Sequence, residues 1–252
     1  VPHMNFSFAK HLKKLGYRTV AIYPVAGNFL NAREAYEKYG FDEFYATEEL
    51  GITTHWQSTP DSVVFKKAMQ VVRSSEDKRP IFLFILTIKN HGPHASDVST
   101  IDNLNPKLEK YKSIIPSEVL DYLNRLYETD EAISNLKSEW LGEGNRVFAW
   151  FGDHQPKFTN EFGIRSPIPN SSVDVNNRLR FLTWYHMTSN LEGRWVSSIP
   201  EASDLAFFGT KLLNYSGVPL PDNSTAISSF AAQCPLGFAL CQNEKLRESY
   251  LS

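Results

Sequence analysis

The chain has 252 residues, 42% of them hydrophobic and 21% charged, with a formal net charge of −2. That length is enough to bury a substantial core as one large domain or two small ones, and the near-neutral balance, without a long run of Lys and Arg, excludes a polyanion-binding stripe and so speaks against nucleic acid as a partner. The longest apolar run, IFLFILTI at 81–88, falls far short of the roughly 20 residues that a membrane span requires.

The chain opens on VPHM rather than on a charged-then-apolar leader. It reads as an excised piece, with any signal or anchor expected upstream. Residues 5–15 predict a helix with Phe6, Ala9 and Leu12 on one face and Gly16 as its left-handed stop. Residues 17–23, YRTVAIY, predict a strand. Helix, Gly, strand is the second half of a βαβ unit, so a preceding strand is expected outside the chain. A short helix at 32–39, again stopped by Gly40, leads to a brief strand at 41–45. Residues 59–74 predict a helix opened by Thr59-Pro60-Asp61, with Val63, Val64, Ala68 and Val71 near a period of 3.6.

The apolar run 81–88 predicts a buried strand. Residues 95–116 are polar and patternless. The longest helical pattern, 117–140, turns Val119, Leu123, Leu126, Ala132, Ile133 and Leu136 inward. Residues 147–151, VFAWF, predict a second buried strand of the parallel type, since such a strand is covered on both faces and shows no alternation. An irregular stretch at 159–177 follows, then a strand at 180–187 in which His186 reads as a packing residue, then a helix at 203–215 stopped by Ser216-Gly217. The tail beyond shows no period. Its Cys234 and Cys241 are placed either for a short-loop disulfide, which an exported protein would keep, or as two buried thiols.

Strands alternating with helices predict an α/β chain, a three-layer α/β/α arrangement with a mainly parallel sheet, over residues 1–252 as one domain. In such sheets ligands bind beyond the carboxyl ends of the strands. Two groups stand there: Asn90-His91-Gly92-Pro93-His94 after one strand and Gly152-Asp153-His154 after the other. On one sheet edge they would face a common cleft. An Asp beside a neutral imidazole pairs a hard ligand with a borderline one and suits a divalent ion such as Zn²⁺ or Mn²⁺, with Mg²⁺ or Ca²⁺ as further possibilities. Two such residues do not complete a metal site. No G-x-S-x-G, P-loop or H-E-x-x-H sequence is present, which removes the usual signatures of α/β-hydrolases, P-loop NTPases and zincins.

The blocks FGDHQP and NHGP, with LKKLGYRTVAIY, AREAYEKYGFDEFY, YLNRLYETDEAI and FFGTKLLNYSGVPLP in the same order, resemble the C-terminal part of the sulfatase-like branch of the alkaline phosphatase superfamily. Within that branch the resemblance is to lipoteichoic acid synthases and to phosphoglycerol and phosphoethanolamine transferases. The resemblance implies an alkaline-phosphatase-like fold lacking its first strands. It implies Asp153 and His154 as metal ligands and His91 on the phosphate of the substrate or covalent intermediate; Arg33 reads as a substrate contact one position late or as a helix-face charge, and His94 as a further candidate substrate contact. It further implies a membrane-anchored enzyme, attached through a segment upstream of this chain, that passes a phospholipid headgroup to a glycan or lipid acceptor on the periplasmic or extracellular side. The family's nucleophile and its acidic metal ligand would precede residue 1, so the 252 residues alone are expected to be inactive. Departures are Leu30-Asn31-Ala32-Arg33 in place of Trp-Asn-Arg-Asp, and Tyr23 in place of a strand-end His. A sulfatase is the alternative within the enzyme class; a non-catalytic domain that binds a glycan or a partner is the alternative outside it.

Overall fold

The computed structural model describes residues 6–53, 56–156, 182–191, 203–222, 224–234, 237 and 241–251. The chain divides into two compact units: Val1–Glu139 with Gly152–Trp184, and Trp140–Phe151 with Tyr185–Ser252. In chain order the first holds α1 (Phe8–Lys14), β1 (Arg18–Ile22), α2 (Ala32–Lys38), β2 (Glu43–Tyr45), α3 (Thr47–Leu50), α4 (Asp61–Arg73), β3 (Ile81–Ile85) and nearly all of α5 (Ser117–Leu141). The second holds β4 (Val147–Phe151), β5 (Tyr185–Ser189), α6 (Phe208–Ser216), α7 (Ser224–Gln233) and α8 (Glu244–Leu251).

β1 is the middle strand of a parallel sheet in the order β2-β1-β3, with Val20 opposite both Glu43 and Leu83. All of its residues are buried, because helices cover both sides of the sheet. On one side Val20, Ile22, Ile81, Leu83 and Ile85 pack with Leu50 of α3 and Val64 and Ala68 of α4. The alternate residues of β3 point the other way, as the period of 2 requires. Phe82 meets Phe8 of α1 and Phe41, while Phe84 meets Phe41 and Tyr36 of α2. Helix, sheet and helix are thus stacked in three layers, the expected α/β arrangement with a parallel sheet.

Local signals fall close to their predicted positions. Ser7 caps α1 by accepting from the Lys10 N–H at 3.0 Å, and Gly16 follows the helix with φ +85°. α4 begins two residues later than predicted, with Pro60 in the cap position. β3 is shorter than the apolar run, ending at Ile85. The patternless 95–116 region contains two 3-10 turns, Val98–Thr100 and Pro106–Tyr111.

Two expectations need correcting. β4 is not a doubly covered parallel strand: it is half-buried and pairs antiparallel with β5, Ala149 opposite Met187. An antiparallel strand with aromatic partners on both faces also reads as an unbroken apolar run, here Trp150 stacked on His186 and Phe151 against Phe208. β3 and β4 therefore do not belong to one hydrogen-bonded sheet among the described residues. The tail, which shows no period, forms α7 and α8 around a small core of Phe207, Phe230, Cys234 and Cys241, and the two cysteines are bridged. The predicted strand at 180–187 begins at Tyr185. The irregular stretch at 159–177 lies outside the described residues.

Candidate functional site

Beyond β3 the chain turns at residues 89–95. The His91 ring is exposed, and its Nδ1–H donates to the Gly92 carbonyl at 2.7 Å. A carbonyl only accepts, so Nδ1 carries a proton, and in the neutral ring Nε2 holds the lone pair. The edge of Trp56 meets this ring, with centroids 4.9 Å apart and planes at 80°, and Trp56 Nε1–H donates to the same Gly92 carbonyl at 3.0 Å. The turn's other side is bound to α5. Arg125 donates to the carbonyls of Lys89, His91 and Pro93, and Asn90 Nδ2 donates to Thr129 Oγ1 at 3.0 Å.

His94, across the Gly-Pro from His91, has a different setting. Its side chain is 7% exposed, lies with Nδ1 3.8 Å from Asp121 Oδ2, and packs edge-on against Tyr122. Of the two histidines that flank the Gly-Pro, only His91 is presented to solvent.

Beyond β4, Gly152 is tied to residues 183 and 184: its N–H donates to the Trp184 carbonyl at 3.0 Å and its carbonyl accepts from Thr183 Oγ1 at 2.7 Å. A Cβ at Gly152 would stand 3.3 Å from the Thr183 Cβ, so the close approach favours glycine. Asp153 and His154 follow, both largely exposed. Asp153 Oδ1 accepts from the His154 backbone N–H at 2.8 Å, and His154 Nδ1–H donates to the Gln155 carbonyl at 2.9 Å. His154 Nε2 is thereby left as a lone pair, 3.5 Å from Asp153 Oδ2. The rings of His91 and His154 lie 6.4 Å apart and nearly perpendicular. The two groups singled out in the sequence therefore do meet, within the first unit.

Arg33 occupies a separate setting. Its Nη2 donates to Glu49 Oε1 at 2.8 Å and its guanidinium lies over the Phe44 ring at 5.2 Å. The side chain sits where a Cβ on Gly27 would be, 2.5 Å from Nη2. Leu30 and Asn31 just before it hold φ of +51° and +56°, a left-handed conformation that costs roughly 1–3 kcal/mol at a non-glycine residue. Tyr23 is buried at the end of β1, and burial raises its hydroxyl pKa.

The Asp153–His154 pair fits a divalent ion in one respect. With ligand bonds near 2.0–2.2 Å, two corners of a tetrahedral site are about 3.3–3.6 Å apart, and the Oδ2–Nε2 separation of 3.5 Å matches that edge. The Gln155 carbonyl on Nδ1 is the outer-shell contact that a ligating imidazole ordinarily has. The described residues hold no group of three or more His, Cys, Asp or Glu side chains suited to a metal, so the pair by itself does not complete a metal site. Sequence reasoning missed Trp56, Asp121, Tyr122 and Arg125. Only the Asp121/Arg125 spacing of i, i+4 was visible, and that spacing most often marks a solvated helix face.

Residues 1–184 match the family model described as Sulfatase. The chain is 28% identical over 233 residues to an uncharacterized protein of Haemophilus influenzae, covering 88% of this chain and 40% of that protein. It is also 28% identical over 154 residues to a proposed cyclic beta-1,2-glucan modification protein of Rhizobium meliloti, covering 60% of this chain and 23% of that one. Among solved structures, the phosphoglycerol transferase GacH of Streptococcus pyogenes, in complex with sn-glycerol-1-phosphate, is similar with TM-score 0.61 and 17% identity, over 86% of this chain and 55% of GacH. The lipoteichoic acid synthase LtaP of Listeria monocytogenes is similar with TM-score 0.53 and 17% identity, over 74% of this chain and 47% of LtaP. An alkaline phosphatase superfamily protein of Vibrio parahaemolyticus has TM-score 0.54 and 18% identity, over 84% of this chain and 48% of its own. The chain thus spans 40% or less of the two sequence relatives and about half of the three solved structures. With 184 of 252 residues inside the family model and an alkaline-phosphatase-like fold, the chain belongs to the sulfatase family.

Proposed function

We propose that this chain is part of the catalytic domain of a divalent-metal-dependent transferase. The enzyme would move a phospho-headgroup of the phosphoglycerol type from a lipid to a glycan or lipid acceptor outside the cytoplasm, at the cell membrane. The observation that carries the reading is the meeting of His91 with the Asp153–His154 pair, whose free oxygen and nitrogen are 3.5 Å apart. The likeness to a phosphoglycerol transferase and a lipoteichoic acid synthase supports the ester chosen. The Cys234–Cys241 bridge supports an oxidising compartment.

In this reading Asp153 Oδ2 and His154 Nε2 hold the ion, and when bound it supplies Lewis-acid stabilisation of phosphoryl oxygens and of an attacking alkoxide. The Asp153 carboxylate brings the negative charge that such a site needs, and the Gln155 carbonyl, by accepting from Nδ1–H, leaves the lone pair of the neutral ring on His154 Nε2 beside it. His91 offers Nε2 to the phosphate or to the proton of the leaving or attacking oxygen, with its proton fixed on Nδ1 by the Gly92 carbonyl. Arg33, paired with Glu49, and His94, beside Asp121, are proposed as substrate contacts. A nucleophile and a further acidic ligand are required from chain outside these 252 residues, whose own turnover is expected to be nil.

The test is metal content and turnover of the protein as its gene encodes it. Asp153→Ala is expected to lower bound Mn or Zn at least about tenfold and to abolish release of a glycerophosphate headgroup from phosphatidylglycerol. Equal metal content in wild type and Asp153→Ala would defeat the metal assignment. Hydrolysis of an aryl sulfate in preference to the phosphodiester would move the reading to a sulfatase.

A further inference from the structure

The turn that carries His91 is gripped by one ion pair of α5. A guanidinium has five N–H donors, and in Arg125 each of the five is used. Nε donates to Asp121 Oδ1 at 3.2 Å and one Nη2 hydrogen to Asp121 Oδ2 at 2.6 Å. The other Nη2 hydrogen goes to the Pro93 carbonyl at 3.2 Å, and the two on Nη1 go to the carbonyls of Lys89 at 3.3 Å and His91 at 3.1 Å. Asp121 Oδ2 in turn accepts from the Ala95 N–H at 2.8 Å. The pair therefore fixes four backbone groups between residues 89 and 95. Both partners are nearly out of solvent, with side chains 13% and 8% exposed.

The consequence falls on Gly92. Its two neighbours in the chain, His91 and Pro93, have their carbonyls pinned by the same guanidinium, so the peptide planes on either side are set. The Gly92 carbonyl between them, which Arg125 does not reach, accepts from both Trp56 Nε1 and His91 Nδ1. That bond decides which nitrogen of His91 carries the proton and where Nε2 points. A buried ion pair is a poor source of stability by itself, since packed apolar residues serve as well or better. This one is arranged to hold carbonyls that an apolar residue would leave unpaired.

Building on the reading of His91 under Proposed function, we propose that Arg125, oriented by Asp121, is a positioning residue that sets the tautomer and direction of the His91 imidazole through the carbonyls of residues 89–93. It touches no substrate. Lysine cannot replace it, because one ammonium on a flexible stem cannot span three carbonyls and a carboxylate at once.

Nitrogen-15 NMR of the histidine rings in Arg125→Lys and Arg125→Met reads the effect directly. In the wild type, neutral His91 is expected almost wholly as the Nδ1–H tautomer. In both variants the Nε2–H share should rise at least about fivefold, as in free imidazole side chains, while the β1 amides keep their wild-type shifts. In the protein as its gene encodes it, kcat for headgroup release should fall about 10- to 100-fold with KM moving less than about threefold. A folded Arg125→Lys with an unchanged His91 tautomer would overturn the proposal, and so would loss of folding in both variants, which would make the pair purely structural. His91→Ala with wild-type turnover would instead remove the catalytic role of His91, and the tautomer measurement would still decide the positioning on its own.

Discussion

Asp121 shows how a single side chain can tie a site to stability. Burial alone would raise its carboxyl pKa, but the neighbouring His94 ring and hydrogen bonds from the Ala95 N–H and Arg125 outweigh burial and hold it down to about 2, from 3.8. A depressed carboxyl stabilises the folded state fully above the unfolded pKa and loses that contribution as the pH falls through the folded one. The window for Asp121 thus runs from just below pH 4 down to about pH 2, and a shift of that size is worth about 2 kcal/mol. Urea midpoints measured across this range should fall steeply in the wild type and less steeply in Asp121→Asn. A variant with the same slope would show that the ion pair does not carry the linkage. The nearness of His91 to His154 was legible in the sequence from their places directly after two strands. The division of labour between His91 and His94 was not legible, because it depends on a helix thirty residues away that buries one ring and leaves the other exposed.

α5 was legible as a helix, with Ala132 and Leu136 inward as expected, but the face of its N-terminal half was not. The apolar pattern turned Val119, Leu123, Leu126 and Ile133 inward, yet these are only half-buried. The buried stripe runs through Leu120, Asp121, Asn124, Thr129, Ala132, Leu136 and Trp140. Its N-terminal half packs on turns, not on a sheet face, and turns present unpaired carbonyls and N–H groups. Polar side chains therefore join Leu120 in what that half buries: Asn124 accepts from the Asn105 N–H at 2.8 Å and donates to the Asp102 carbonyl at 3.3 Å, and Thr129 donates to the buried Asp61 at the start of α4 at 2.7 Å. Hydrophobic periodicity sees a helix against a sheet and is blind to a helix against loops. The parallel strands, in contrast, were legible because β1 and β3 lie between helices on both faces. Within that sheet Arg18 of β1 is 4% exposed, and its Nη2 donates to Glu43 Oε2 of β2 at 2.8 Å. Glu43→Ala would leave a buried guanidinium without its carboxylate, at a cost of roughly 3 kcal/mol in chemical denaturation. Glu34→Ala, which removes only the exposed i, i+4 contact with Lys38, should leave the midpoint unmoved. Equal effects of the two would mean that Arg18 finds another partner.

The two compact units have different means of support. The first has a parallel sheet with a core on either face. The second rests on the β4–β5 pair and on the Phe207, Phe230, Cys234 and Cys241 cluster, which Ile227, Ala231 and Leu246 extend. A cluster of that size contributes little on its own, so the Cys234–Cys241 bridge, with a sequence separation of 7, should matter to it. Closing so short a loop removes unfolded-state entropy worth about 2.5 kcal/mol in the chain-entropy model. Because the chain divides into units, one global unfolding energy is the wrong measurement, and amide exchange resolved along the chain is the right one. A reductant, or the double variant Cys234→Ser/Cys241→Ser, should speed exchange in α7 by roughly 50-fold, the equivalent of that energy at about 1.4 kcal/mol per tenfold. The amides of β1 should be unchanged. The same result would bear on compartment: a second unit that loosens under reducing conditions is suited to an oxidising one, as the proposed function requires. Uniform exchange in α7 with and without reductant would remove the bridge from both arguments.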